Sequence, residues 1–87
     1  MSSISNEKRE RIKEELLRII YENYPNFLYT YQIADLLIRD DEFVLNLLKE
    51  LKEKNLIFCL EESSGGNVKR KWQLKKEVYE KYKELSA

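Results

Sequence analysis

Between Ser5 and Tyr24 the apolar residues Ile12, Leu16, Ile19, Ile20 and Tyr24 recur at three- and four-residue intervals, the period of one helix face. Ser5 or Asn6 offers a capping side chain and Glu7 an acid in the first turn; both favour a helix start. Pro25 stops the helix near Tyr24, because proline lacks an N–H and restricts the residue before it. The pattern predicts a helix over 5–24, then a short turn at Asn26 and Phe27. Thr30 precedes the run Tyr31-Gln32-Ile33-Ala34-Asp35-Leu36-Leu37. Its hydroxyl suits an N-cap, so a second helix is predicted over 31–37. Ile38 and Arg39 turn the chain. Asp40 or Asp41 caps a third helix over 41–54, with Val44, Leu48 and Leu51 inward and Leu47 beside them. Asn55 stands where a left-handed residue closes a helix, a conformation Asn tolerates better than most.

Beyond Asn55 the period changes. Leu56-Ile57-Phe58-Cys59-Leu60 is a short apolar run with β-branched and aromatic members and reads as a strand. Ser63-Ser64-Gly65-Gly66-Asn67 holds both glycines of the chain and reads as a hairpin tip. In the returning strand, alternation puts Val68, Arg70, Trp72 and Leu74 on one face and Lys69, Lys71 and Gln73 on the other. Trp72 is too large to leave in water, so its face is the inner one. The hairpin is predicted over 57–74. A last helix follows over 75–85 with Val78, Tyr82 and Leu85 on one stripe. With no internal repeat and no linker, residues 1–87 read as a single domain, mostly α with a small β-hairpin.

Composition narrows the function classes. Eighty-seven residues hold one core. At 43% hydrophobic and 37% charged the chain is too apolar for disorder and too charged for a membrane protein. No stretch approaches the ~20 apolar residues of a spanning helix, and the first residues lack the apolar segment of a signal peptide, so a cytoplasmic protein is expected. A lone cysteine excludes an internal disulfide and a multi-cysteine zinc site. Cys59 lies in an apolar strand, where a buried thiol is inert. Histidine is absent, which removes the usual general base, the usual metal ligand and every Ser-His or Cys-His pair. The sequence therefore points away from an enzyme and assigns no catalytic residue, metal or cofactor. Lys and Glu together number 24 against two Gln, a balance like that of thermophile proteomes.

The 16 basic and 16 acidic side chains cancel, so total charge does not by itself indicate nucleic acid. Their distribution does more. Lys69-Arg70-Lys71 concentrates positive charge beside the glycine tip, with Lys75-Lys76 just beyond.

In order and spacing the chain resembles the winged helix-turn-helix family, of the kind found in MarR-like and ArsR-like regulators. The matching residues are Thr30, Ile33-Ala34, Leu37, Val44, Leu48, Leu51 and Asn55-Leu56-Ile57. The family pattern reads T-x-x-I-A-x-x-L, seven positions to Val, four to Leu, three to Leu, then G-L-I. The resemblance covers about residues 10–74. Two positions depart from it: the family usually has Gly where this chain has Ile38 and Asn55. The spacing has a physical reason as well. Ile33, Ala34 and Leu37 edge one helix, and small Ala34 lets the next helix cross close. Two short helices locked this way hold the outer face of the second at a fixed angle, and a major groove about 12 Å wide accepts such a helix.

The resemblance implies a small DNA-binding regulator of transcription. Its third helix would meet the major groove through Asp41, Glu42, Leu45, Asn46 and Lys49. A basic wing of Lys69, Arg70 and Lys71 would hold phosphates, which supply most sequence-independent affinity. Thr30, Tyr31 and Gln32 would contact phosphate from a helix N-terminus and set the docking angle. Asn46 suits a paired hydrogen bond to adenine, and Leu45, expected on the exposed face, a thymine methyl. The expected partners are double-stranded DNA and a second copy of the chain through the terminal helices. The alternative is a winged helix used as a protein-interaction module. Neutral net charge, exposed Leu45 and the acidic opening Asp40-Asp41-Glu42 of the third helix favour it, because three carboxylates repel phosphates. They also suit the helix dipole.

Overall fold

The Ser5 hydroxyl accepts from the Lys8 N–H and opens α1 (Asn6–Asn23). In the computed structural model, which describes residues 5–86, α1 is followed by β1 (Leu28–Tyr29), α2 (Thr30–Leu37), α3 (Asp41–Glu53), β2 (Ile57–Ser64), β3 (Asn67–Leu74) and α4 (Lys76–Ser86). The ends of the expected 1–87 domain, residues 1–4 and 87, lie outside the described residues. The order is the predicted one with a strand added. Asp40 caps α3 by accepting from the N–H groups of Glu42 and Phe43, each at 3.1 Å. Gly65 and Gly66 make the hairpin tip, both at positive φ, as a two-residue turn matched to strand twist requires.

The core is where the periodic positions meet. Leu16 and Ile20 of α1, Ile33 and Ala34 of α2, Val44, Leu47, Leu48 and Leu51 of α3, and Ile57, Trp72 and Leu74 of the hairpin are all buried. Truncating one such Leu to Ala costs about 2–5 kcal/mol. Ile38 and Asn55, where the family usually has Gly, both adopt left-handed backbone, at φ 54° and 63°. Both positions thus take a left-handed backbone without glycine, the residue that suits it best. Ile38 bears the larger steric cost, because it is β-branched.

Four expectations need correction. Residues just before α2 are not only turn. Leu28 and Tyr29 pair with Trp72 and Lys71, so among the described residues the hairpin belongs to a three-stranded antiparallel sheet of order β1-β3-β2. Two residues are too few to show alternation, so this strand exists only through its partner. Second, Thr30 is not the N-cap of α2. Tyr29 holds that position, and the Thr30 hydroxyl instead accepts from the Trp72 indole N–H at 2.9 Å. Third, the α4 stripe is largely consumed at home. Val78 and Tyr82, with Tyr79, pack on the domain's own core, Tyr79 stacks on Tyr24 with centroids 3.9 Å apart, and only Leu85 of the three remains open, 82% exposed. Fourth, Leu45 is half-buried against the core rather than exposed.

One charged residue is buried as well. Lys13 of α1 lies beside Ile12 on the inner face, and its ammonium pairs with Glu50 of α3 and with Glu10, each at 2.9 Å. Arg9 also pairs with Glu50. These bonds raise the Lys13 pKa and hold the Glu50 carboxyl below its ordinary value, so α1 and α3 are tied by charge as well as by apolar contact.

Candidate nucleic-acid interface

Three elements meet at the start of α3. Tyr29, Thr30 and Tyr31 come from the entry to α2, Asp41, Glu42 and Leu45 from α3, and Val68, Lys69 and Arg70 from β3; together they line one groove. Further along α3, Lys49, Lys52 and Glu53 line a second groove with Cys59, Glu61 and Trp72 of the hairpin. Arg70 borders both. Eight of the eleven expected site residues thus lie on the two grooves. Asn46 is exposed on α3 and lines neither.

The remaining two are turned elsewhere. The Gln32 side chain accepts from the Tyr29 N–H at 2.8 Å and thereby satisfies a donor at the start of α2. Lys71 sits on the opposite sheet face from Arg70, with its ammonium 5.2 Å from the Phe27 ring centroid. Thr30 joins the groove mainly by its position. Its hydroxyl is spent on Trp72 and, at 3.4 Å, on the Arg70 carbonyl. These two bonds lock the first turn of α2 to β3, so the wing and the helix pair are held at one angle.

The charges of the wing are less free than the sequence implies. Arg70 Nε lies 3.0 Å from Glu61 and Lys71 Nζ 3.1 Å from Glu62, both on β2. The Tyr29 hydroxyl donates to Glu62 at 2.6 Å. Bonds from Tyr29 and Lys71 hold the Glu62 carboxyl below its ordinary pKa, and the same carboxylate pushes the Tyr29 phenol up. Lys69 has no such partner among the described residues and stands 6.0 Å from the Tyr29 ring centroid. Tyr31, 52% exposed, stacks beside Tyr29 at 5.6 Å. Cys59 is half-buried rather than buried, and burial pushes its thiol up, away from the thiolate form that reacts. Among the described residues, no group of three Cys, Asp or Glu side chains is placed to hold a metal ion.

Sequence reasoning missed Lys52, which stands with Lys49 on the same side of α3, and the acidic partners Glu61 and Glu62. Hairpin register would have disclosed Glu61. Counting back from the Gly65-Gly66 tip sets Glu61 opposite Arg70 and Glu62 opposite Lys69.

No protein-family model matches the chain, and no curated protein sequence matches it significantly. Solved structures do. A mutant of MepR from a multidrug resistant S. aureus clinical isolate superposes with a TM-score of 0.72 at 21% identity, over 88% of this chain and 55% of that one. The S. aureus MepR–DNA complex gives 0.72 at 22% identity, over 92% and 65%. A mutant ZitR of Lactococcus lactis in apo form gives 0.69 at 24% identity, over 92% and 58%. The chain spans between 55% and 65% of the length of these structures. With its helix pair, its three-stranded sheet and its glycine-tipped hairpin, the chain has the winged helix-turn-helix fold that they share.

Proposed function

We propose that this chain binds double-stranded DNA as a regulator of transcription, a role in binding rather than catalysis. The observation that carries the reading is the convergence of the α2 entry, the outer side of α3 and the basic strand β3 on one surface, in a fold whose MepR example has been solved with DNA. In this reading α3 enters the major groove through Asp41, Glu42, Leu45, Asn46 and Lys49. Lys69 and Arg70 hold phosphates, Arg70 by exchanging Glu61 for the DNA backbone, and Lys71 joins them only by leaving Glu62 and the Phe27 side of the sheet. Thr30 and Gln32 fix the docking angle through their internal bonds, and Tyr31 faces the backbone. The cytoplasm suits this role, and no helix among the described residues is long and apolar enough to cross a membrane.

Two observations favour the second reading, a protein-interaction module: the carboxylates of Asp41 and Glu42 line the groove, and two of the three wing cations are already paired. Binding of a labelled duplex, followed at two salt concentrations, separates the readings. Asp41→Asn with Glu42→Gln keeps shape and leaves Asp40 as the cap. Non-specific DNA affinity should rise, because two charges that repel the polyanion are gone. Barely measurable binding, unchanged by the double substitution, would overturn the DNA reading in favour of the interaction module.

A homodimer through the terminal helices completes the proposal. Support comes from the open Leu85 on α4 and from a groove between α1 and α4 lined by Leu17, Tyr21 and Tyr82. A two-fold axis there would set two reading helices about 34 Å apart. Sedimentation showing only monomer at tens of micromolar refutes the dimer.

A further inference from the structure

The two grooves share Arg70 and form one trough between α3 and the hairpin. Its charge is polarised along the helix. Asp40, Asp41 and Glu42 stand with Lys69 at the α2 end, whereas Lys49 and Lys52 stand with Glu53 and Glu61 at the other. These two lysines are three residues apart and therefore neighbours on the helix surface. Neither makes an ion pair among the described residues. Arg70, between the two ends, reaches across from β3 and is held by Glu61 at 3.0 Å. With Arg70 counted in both, three carboxylates face two cations at the α2 end and three cations face two carboxylates at the other, so a polyanionic backbone laid along this trough is favoured at the second end.

We propose that Lys52, together with Lys49 and Arg70, forms the principal phosphate cradle of the domain, so that the DNA backbone crosses the C-terminal half of α3 rather than its N-terminus. The inference rests on the DNA-binding reading and adds Lys52 as a contact residue. It also assigns the polarity of docking. The acidic end is left facing base edges, where a carboxylate can accept from a cytosine amino group, and the backbone is engaged at the end where cations outnumber carboxylates. Glu61 competes with phosphate for Arg70, so part of the cradle is released only when DNA displaces it.

The test is fluorescence anisotropy of a fluorescein-labelled duplex between about 50 and 200 mM salt, the range over which phosphate contacts reveal themselves. Lys49→Ala with Lys52→Ala should lower affinity for every sequence and reduce the salt slope by about 2 units, at about 0.9 for each lost contact. Lys81→Ala with Lys83→Ala, the same charge change on α4 away from the trough, should leave the slope nearly unchanged. Glu61→Gln should raise affinity by freeing Arg70. All these side chains are exposed, and circular dichroism melts of each variant check that the fold is intact. Should the Ala pair melt early, Lys49→Gln with Lys52→Gln makes the same test. An unchanged slope for the Lys49 and Lys52 variants, in a chain that binds duplex, overturns the cradle and leaves the DNA reading standing. Equal slope losses in the α4 control also overturn it, as a mere effect of total charge. No rise with Glu61→Gln removes Arg70 from the cradle. No salt-dependent binding by the unaltered chain overturns the DNA reading and the cradle together.

Discussion

Replacing Thr30 by Val tests how the wing is fixed to the helix pair. Trp72 is 1% exposed, and its indole N–H finds its partner in the Thr30 hydroxyl at 2.9 Å. Valine keeps the branched shape but has no acceptor. The substitution also removes the weaker bond from Thr30 to the Arg70 carbonyl. Helix propensity changes little, since Thr and Val rank together. What remains is the cost of a buried donor left without a partner, about 1–3 kcal/mol. For a domain of this size each kcal/mol moves the midpoint by about 4–8 °C, so a loss of about 2 kcal/mol lowers Tm by roughly 8–16 °C. The assay is a thermal melt by circular dichroism, joined by fluorescence of Trp72, the only tryptophan in the chain. Thr30→Ser is the control. It keeps the hydroxyl and should cost less than half as much. A Val variant that melts with the unaltered chain, or no lower than the Ser variant, would falsify the account of Thr30 as the tether between α2 and β3.

Further outcomes follow from other positions. Ile38 is 89% exposed and left-handed at φ 54°. Ile38→Gly removes about 1–2 kcal/mol of steric cost and returns about 0.5–1 kcal/mol in chain entropy, so urea unfolding should show a gain near 0.5–1 kcal/mol, and a loss would contradict it. The depressed Glu50 carboxyl contributes stability that is present above its ordinary value of 4.5 and lost as pH falls through the lower folded value. Glu50→Gln should therefore flatten the decline in stability below about pH 4.5, measured by urea midpoints, and an unaltered acid limb would exclude this pair as its source. The raised Lys13 acts on the other side, with stability present below 10.5 and lost as pH rises through the higher folded value; Lys13→Met should flatten that alkaline limb. Replacing Lys69, Arg70 and Lys71 together by Ala should weaken binding to any duplex and flatten the salt slope by ~2–3 units, and an unchanged slope would remove the wing from the phosphate contacts.

What was legible in the sequence was written over a few residues. The Val44, Leu48 and Leu51 spacing, the Asp40 cap and the Gly65-Gly66 tip are local signals, and each states a period, a free N–H or a permitted φ without reference to the rest of the chain. They suffice for the order of helices and hairpin, and that order with its spacing carried the resemblance to the winged helix. What tertiary structure alone decided involves partners far apart in the chain. Leu28 and Tyr29 become a strand only because Trp72 and Lys71 arrive beside them. Thr30 reads as a cap, yet a tryptophan 42 residues away claims its hydroxyl. Lys13 is buried, and Glu50 on a neighbouring helix makes that burial tolerable. The candidate site divides along the same line. Its cations are visible in Lys69-Arg70-Lys71, but which of them is free depends on Glu61 and Glu62 across the ladder. A charged side chain's availability is a difference between water and whatever the fold places against it, and that second quantity is set by packing.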